Sequence, residues 1–290
     1  MNKTIYLTYK KQVPDIVYSR WKETNPTFNM DFSLDNDCIQ FLQTHFNEYI
    51  TELFKRIPIG MYKADLWRLC KLYINGGIYA DVDLVPYLDI DTLDKDVTFY
   101  SCLSKDKGSI FQAFMVNFSK PNNPLILHFL ISFLINAPYN YENGPTYDMY
   151  NCIKHNLNTE NIMPETKYNI NEIKIPISIG ISETSTKTIN LYYFPDNIEY
   201  AIKFKPNMYK KIKFNFEIKN NNLIVTRIDK KMGWSFDQLI EIVIKSKETI
   251  FLFPEQLGSN NHWSTSFITF KNKKIFDSRD MNYYKNGRSW

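Results

Sequence analysis

The segment from Ile57 to Ile90, IPIGMYKADLWRLCKLYINGGIYADVDLVPYLDI, constrains this chain more than any other. Pro58 is placed to open a helix, and Leu66, Leu69, Cys70 and Tyr73 recur at the spacing of one helical face. Gly76-Gly77 supplies a left-handed stop, a backbone conformation that side-chain-bearing residues resist. Ile78-Tyr79-Ala80 then reads as a short buried strand, and Pro86 closes the stretch after it. Helix, glycine turn, strand and a carboxylate pair at the strand's C-terminal end make up the grammar of an open α/β sheet. Such sheets bind ligands at that edge.

The flanking sequence extends the pattern. Thr4 to Tyr9 is a β-prone run, and Pro14 opens a helical stretch through Trp21 that Asn25-Pro26 closes. Apolar side chains at helical spacing predict one helix from Cys38 to Phe54. A strand is expected at Phe111 to Phe118, and Asn123-Pro124 introduces a helix through Ile135. A loop containing Glu142-Asn143-Gly144-Pro145-Thr146 leads into a further helix. From Ile173 to Ile228, β-prone runs alternate with Asn-rich turns, and Asn220-Asn221-Asn222 reads as a hairpin tip. The tail is expected to hold a helix from Phe236 to Lys245, a strand from Thr249 to Phe253, and the loop Asn261-His262-Trp263-Ser264-Thr265-Ser266-Phe267. With no internal repeat and no interdomain linker, the 290 residues read as one domain, with a core over about 1–155 and an elaboration over about 156–290.

Composition excludes several classes. At 44% hydrophobic and 16% aromatic residues the chain can bury a core and is not a disordered segment. The net charge of +4 is dispersed, whereas nucleic-acid binding calls for a concentrated basic face. The nearest approach, Lys203 to Lys213, reads as a strand with a solvated face. Cys38, Cys70, Cys102 and Cys152 form no CxxC pair. Leu125 to Ala137 is too short for an integral membrane segment, and the N-terminus lacks the apolar stretch of a signal peptide. A cytoplasmic or otherwise soluble protein is expected; the AT-rich bias would suit a bacterial or large-virus source, the latter implying host cytoplasm.

Asp81-Val82-Asp83 carries the chemistry. Alternate residues of a strand point to one side, and at a frayed strand end both carboxylates can converge on a hard divalent cation. Such a cation neutralises a diphosphate leaving group. Asp65 and Arg68 stand three apart on the preceding helix and share a face. The bland reading is an intrahelical ion pair; the functional one puts Asp65 on sugar hydroxyls and Arg68 against the sugar or diphosphate, where its planar donors fork onto oxyanions. A rival reading takes Ile78 to Val85 as the nucleophile motif of a haloacid-dehalogenase-like phosphatase. It lacks the later Lys and acidic pair that this chemistry needs.

Ala64-Asp65, Arg68, Leu72-Tyr73, Gly76-Gly77-Ile78-Tyr79 and Asp81-Val82-Asp83 together resemble the DXD sugar-binding glycosyltransferases. That family includes Golgi α-mannosyltransferases, capsular sugar transferases and, more distantly, glucosylating bacterial toxins. The resemblance implies a GT-A fold, an α/β nucleotide-diphospho-sugar transferase domain carrying here a β-rich C-terminal elaboration. It implies a retaining transfer from a nucleotide sugar, UDP-linked in preference to GDP-mannose, to a glycan or other hydroxyl acceptor, with Mn²⁺ or Mg²⁺. By the same resemblance Asp65, Arg68 and Asp83 act in catalysis, and Asp81, Asp83 and His262 hold the metal. Thr8, Tyr9, Asp65, Arg68, Asp81, Gly144 and His262 contact the donor, with Tyr9 standing where the family stacks Trp on the base. Phe267 likewise replaces a Trp, and a nucleotide-sugar-binding scaffold without activity is the alternative.

Overall fold

The computed structural model describes residues 2–105, 108–136, 144–181, 186–190, 200–204, 214–219, 222–227, 236–258 and 266–278. In chain order these form β1 (Thr4–Thr8), α1 (Asp15–Thr24), β2 (Asn29–Ser33), α2 (Asp35–His45), α3 (Glu48–Arg56), α4 (Gly60–Asn75), β3 (Gly77–Ala80) and β4 (Leu84–Pro86). There follow β5 (Phe99–Leu103), β6 (Ile110–Asn117), α5 (Pro124–Asn136), α6 (Gly144–Leu157) and β7 (Lys167–Ile181). The chain continues through β8 (Thr186–Asn190), β9 (Tyr200–Phe204), β10 (Phe214–Lys219), β11 (Asn222–Arg227), β12 (Phe236–Gln256), β13 (Phe267–Phe270) and β14 (Lys273–Ser278). It divides into two compact units, Met1–Ile170 with Glu248–Trp290, and Asn171–Lys247.

In the first unit β1 pairs in parallel with both β2 and β3, Tyr6 lying opposite Asp31 and Tyr79. The sheet then runs β3-β6-β5-β12-β13-β14-β4. β6 is antiparallel to its neighbours, and the end of β12 is parallel to β5, with Phe253 opposite Cys102. The last strand of this path, β4, follows directly on β3 through the turn Asp81-Val82-Asp83. The row of strands therefore leads back to where it started, and the strand ends share a rim on which the DxD turn sits.

An aromatic core fills one face of this sheet. Phe114 and Phe276 meet at 4.4 Å between centroids, Tyr100 stacks on Phe253 at 5.6 Å, and Trp21 from α1 packs on Phe276 at 5.9 Å. Each buried ring of this size withdraws enough apolar area to contribute about 2–3 kcal/mol. Gly77 joins α4 to this core. Its φ is +89°, and a Cβ there would stand 2.9 Å from the Thr4 carbonyl oxygen. Only glycine permits so close a β1–β3 approach, which sets where β3 begins.

Two predicted elements differ. The stretch from Cys38 to Phe54 is two helices rather than one: α2 stops at Phe46, and the Asn47 side chain accepts the Ile50 N–H at 3.3 Å to cap α3. A short Asx cap competes with helix continuation. The expected helix from Phe236 to Lys245 belongs to the 21-residue strand β12. Its β-branched residues Ile240, Ile242, Val243 and Ile244 are buried, and the stretch pairs antiparallel with β9. β-Branched side chains pack well on a pleated surface and poorly along a helix, and strand pairing outweighed a helical spacing that was only apparent.

In the second unit β10, β11 and β8 form a three-stranded antiparallel sheet. The pairing of Lys219 with Asn222 closes the expected hairpin, whose tip residues Asn220 and Asn221 lie outside the described residues. Lys203 lies on β9, and residues 205–213 of the basic run are outside the described set.

The apolar run from Leu125 onward is α5, and it is core: Leu125, Ile126, Leu127, Phe129 and Leu130 are buried. No described helix is long and apolar enough to cross a membrane. Within α5, His128 is also buried, and its Nδ1 lies 2.8 Å from the Asn156 amide nitrogen of α6. Burial, with His155 close by, lowers the His128 pKa to about 3. The unfolded chain therefore binds a proton between pH 6.5 and 3 that the folded chain refuses. Stability from this site is full above pH 6.5 and falls by up to about 1.4 kcal/mol per pH unit below it. In His128→Gln, urea unfolding at pH 7 and pH 4 is expected to show a smaller loss between the two pH values than in the parent. An equal loss would place the acid sensitivity elsewhere.

Candidate functional site

Two glycines with positive φ, Gly76 (+63°) and Gly77 (+89°), turn the chain from α4 into β3. This return lays the first half of α4 beside the C-terminal end of β3. Arg68 Nη2 lies 3.1 Å from Asp65 Oδ1 and 3.5 Å from Asp81 Oδ1. Its Nη1 donates to the Gln112 carbonyl at 2.5 Å, and its Nε to the Ala64 carbonyl at 3.2 Å. The guanidinium carbon stands 4.3 Å over the Tyr79 ring, whose hydroxyl donates to Asp81 Oδ1 at 2.6 Å. Tyr79, near the end of β3, reaches Asp81 in the turn that follows it.

The DxD segment is a tight turn rather than a strand continuation. The Asp81 N–H donates to Ala113 O at 2.8 Å, and its carbonyl accepts the Leu84 N–H at 3.1 Å. Val82 is buried in the core and anchors the turn. Asp81 and Asp83 thus project from a turn pinned on both sides. The charge of Asp83 acts on Arg68 and on Tyr9, whose phenol is pushed up by burial and then by Asp83.

Electrostatics mark the cluster as unusual. Asp65 is 8% exposed and Arg68 4%. Burial pushes the Asp65 carboxyl up to about 6; Arg68 opposes the shift and Asp81 adds to it. Burial pulls the Arg68 guanidinium down, but Tyr79, Asp81, Asp65 and Asp83 outweigh it and hold the pKa above its ordinary value. Because the folded Asp65 pKa is raised, its ionisation lowers stability as pH rises from about 4 to about 6. A carboxylate kept where its charge costs stability points to a functional role.

The other nominated residues are placed as follows. Tyr9 follows directly on β1 at this same edge, whereas the Thr8 hydroxyl donates to the Ser33 carbonyl at 2.9 Å and lies 3.4 Å from Cys38 Sγ. Gly144, expected in a loop, is the first residue of α6 and ties to none of the carboxylates above through the described contacts. His262 lies outside the described residues. Among the described residues, no three His, Cys, Asp or Glu side chains come together to hold an ion.

Other groups enter from distant sequence. The β5–β6 register shifts between Tyr100 and Cys102, so β6 bulges around Gln112, and bulges re-aim side chains. Gln112 is 3% exposed, and neither end of its amide has a hydrogen-bond partner among the described residues. The buried Ser266 hydroxyl is likewise without a partner among the described residues, and Ser266 sits beside Ser278, which pairs with Leu84 next to Asp83. No sequence signal singles out Gln112, which reaches the site only through antiparallel pairing. Ser266 lies in the segment singled out for His262, but nothing in that segment singled out Ser266 itself.

With a buried Asp–Arg pair set against a DxD turn at the C-terminal edge of β3, the likeness to known proteins has a structural counterpart. Residues 2–100 match the family described as the glycosyltransferase sugar-binding region containing a DXD motif. The initiation-specific alpha-1,6-mannosyltransferase of Candida albicans is 22% identical to the chain over 99 residues. That match covers 31% of this chain and 26% of the mannosyltransferase. The solved structure of the PaToxG glycosyltransferase is similar with a TM-score of 0.39 at 15% identity, over 51% of this chain and 67% of that one. All of α4, β3 and the DxD turn fall within the matched residues 2–100; Gln112 and Ser266 lie beyond them.

Proposed function

We propose that this chain is a metal-dependent, retaining glycosyltransferase of the GT-A type. It moves a sugar from a nucleotide diphosphate, UDP in preference to GDP, to a hydroxyl of a glycan or other acceptor. The observation that carries this reading is the Arg68 guanidinium held between Asp65 and Asp81 at the edge where Asp83 and Tyr9 also lie. Neither an isolated helix ion pair nor an isolated DxD would build that arrangement.

The donor set fits a magnesium- or manganese-like ion. It is all oxygen, and two carboxylates leave the remaining positions to substrate phosphates, as such ions are usually bound. Asp81 Oδ1 is already engaged by Tyr79 and Arg68, so Asp83 would hold the ion directly and Asp81 would act through its second oxygen or a water. When bound, the cation neutralises charge growing on the departing diphosphate.

The chain's own residues supply the rest. Arg68 faces the same developing charge and is already oriented by four partners, so it needs no reorganisation as the bond breaks. Asp65 accepts from sugar hydroxyls. Tyr9 stacks on the base. The Gln112 amide and Ser266 hydroxyl, buried without partners among the described residues, are satisfied by the donor's sugar and diphosphate. Transfer proceeds on one face: the acceptor oxygen bonds to the anomeric carbon, the anomeric carbon–phosphate oxygen bond breaks, and the acceptor proton passes to the departing phosphate. Release of UDP or GDP from their sugars, with and without Mn²⁺, tests the reading. Metal-dependent release of one nucleotide is expected; no release from any sugar nucleotide would leave only a binding scaffold.

A further inference from the structure

Two glutamates of β12 are buried in the first unit, at opposite ends of its pairing with β5. Glu248 has an ample structural explanation: its Oε2 accepts from Thr98 Oγ1 at 2.6 Å, Ser119 Oγ at 3.0 Å and Asn123 Nδ2 at 3.1 Å, tying β5, β6 and α5 together. Glu255 differs. It is 7% exposed and stands at the C-terminal end of β12. Its Oε2 accepts from Ser104 Oγ at 2.8 Å and from the Lys105 N–H at 3.3 Å. Its other oxygen has no hydrogen-bond partner among the described residues, and no Lys or Arg among them pairs with it. A buried carboxylate without a counter-charge is costly and seldom kept for packing alone.

Its place on the rim gives it a use. From β3, whose C-terminal end leads into the turn of Asp81 and Asp83, the strand order passes to β6 with Gln112, to β5 with Ser104 next after its end, and to β12 with Glu255. At the usual strand spacing Glu255 is about 14 Å along the sheet from the DxD turn. If the diphosphate sits at β3 and its sugar at β6, the next polar group along the rim meets the molecule that receives the sugar. Phe111 opposes Cys102, which opposes Phe253, so Phe111 and Glu255 share a sheet face, and Phe111 is only half-buried. An aromatic ring beside a carboxylate suits a saccharide, which presents an apolar ring face and a hydroxyl edge.

Building on the transferase reading, we propose that Glu255 binds the acceptor: its free carboxylate oxygen accepts from hydroxyls of a saccharide seated over Phe111. The fixed oxygen, held by Ser104 and Lys105, sets the direction of the free one.

The test uses the whole protein with a sugar nucleotide that it turns over, and the methyl α-glycosides of glucose, galactose, mannose and N-acetylglucosamine as acceptor probes. At least one glycoside is expected to accelerate nucleotide release from the wild type. Glu255→Gln keeps an oxygen for Ser104 and Lys105, and should raise the KM for that glycoside about tenfold or more while UDP affinity by calorimetry moves less than twofold. Phe111→Ala should raise the same KM. An unchanged KM in Glu255→Gln overturns the inference. So does a parallel loss of UDP affinity and thermal stability, which a merely structural carboxylate would give, or a wild type that releases nucleotide but responds to none of the glycosides. A wild type that releases no nucleotide at all marks a failure of the transferase reading itself, and the inference falls with it.

Discussion

Asp83→Asn is expected to lower nucleotide-sugar turnover about 10³-fold while leaving the unfolding midpoint close to that of the parent. The variant keeps the shape of the DxD turn, whose hydrogen bonds run through Asp81, Ala113 and Leu84, and whose buried anchor is Val82. On the proposed reading, the substitution removes the charge that would hold the cation. Stabilisation of a departing diphosphate by a metal is worth several kcal/mol, and about 4 kcal/mol corresponds to 10³ in rate. Turnover with Mn²⁺ and a thermal melt of the same preparation check it. Full turnover in a folded Asp83→Asn would remove the metal from the mechanism.

Arg68→Lys should give the second large effect, and of a different kind. Lysine keeps a positive charge for Asp65 and Asp81, so the fold is expected to persist. It cannot reproduce the fork that reaches Asp65, Asp81, Ala64 and Gln112 at once. Loss of a preoriented donor to developing oxyanion charge costs about 10²–10³ in kcat. Arg68→Ala goes further: Asp65 is left buried without its cation, and a loss of about 3–5 kcal/mol in urea unfolding is expected. If Arg68→Lys instead retained kcat and only stability moved, Arg68 would be a packing residue.

The parts of this architecture that were legible in the sequence are local ones. The helix α4, its stop at Gly76-Gly77, the strand Ile78-Tyr79-Ala80 and the carboxylates after it lie within one short run, where helical spacing, left-handed glycines and strand alternation each act over a few residues. The spacing of Asp65 and Arg68 likewise places them on one helical face, and the structure turns that face toward Asp81. The features that escaped need partners remote in sequence. Gln112 meets Arg68 because β6 pairs antiparallel with β3 and bulges there, and Ser266 nears Asp83 through β13, β14 and β4; no local pattern encodes either pairing. The stretch Phe236–Lys245 misled for the related reason that Ile240, Ile242, Val243 and Ile244 suit a helix face by spacing and a strand by branching. Pairing with β9 decided between them. Asn47 was readable in principle, since an Asx residue ahead of Glu48 is a helix-start signal that a continuous apolar pattern concealed.

The most direct test of the central claim is a calorimetric titration of the purified protein with UDP and with GDP, in Mn²⁺ and in EDTA, for the wild type and Asp83→Asn. The account predicts that one nucleotide, UDP in preference, binds in Mn²⁺, and that the heat disappears both in EDTA and in the variant. Binding that persists undiminished in EDTA and in Asp83→Asn, or no binding of either nucleotide with Mn²⁺ present, would contradict it.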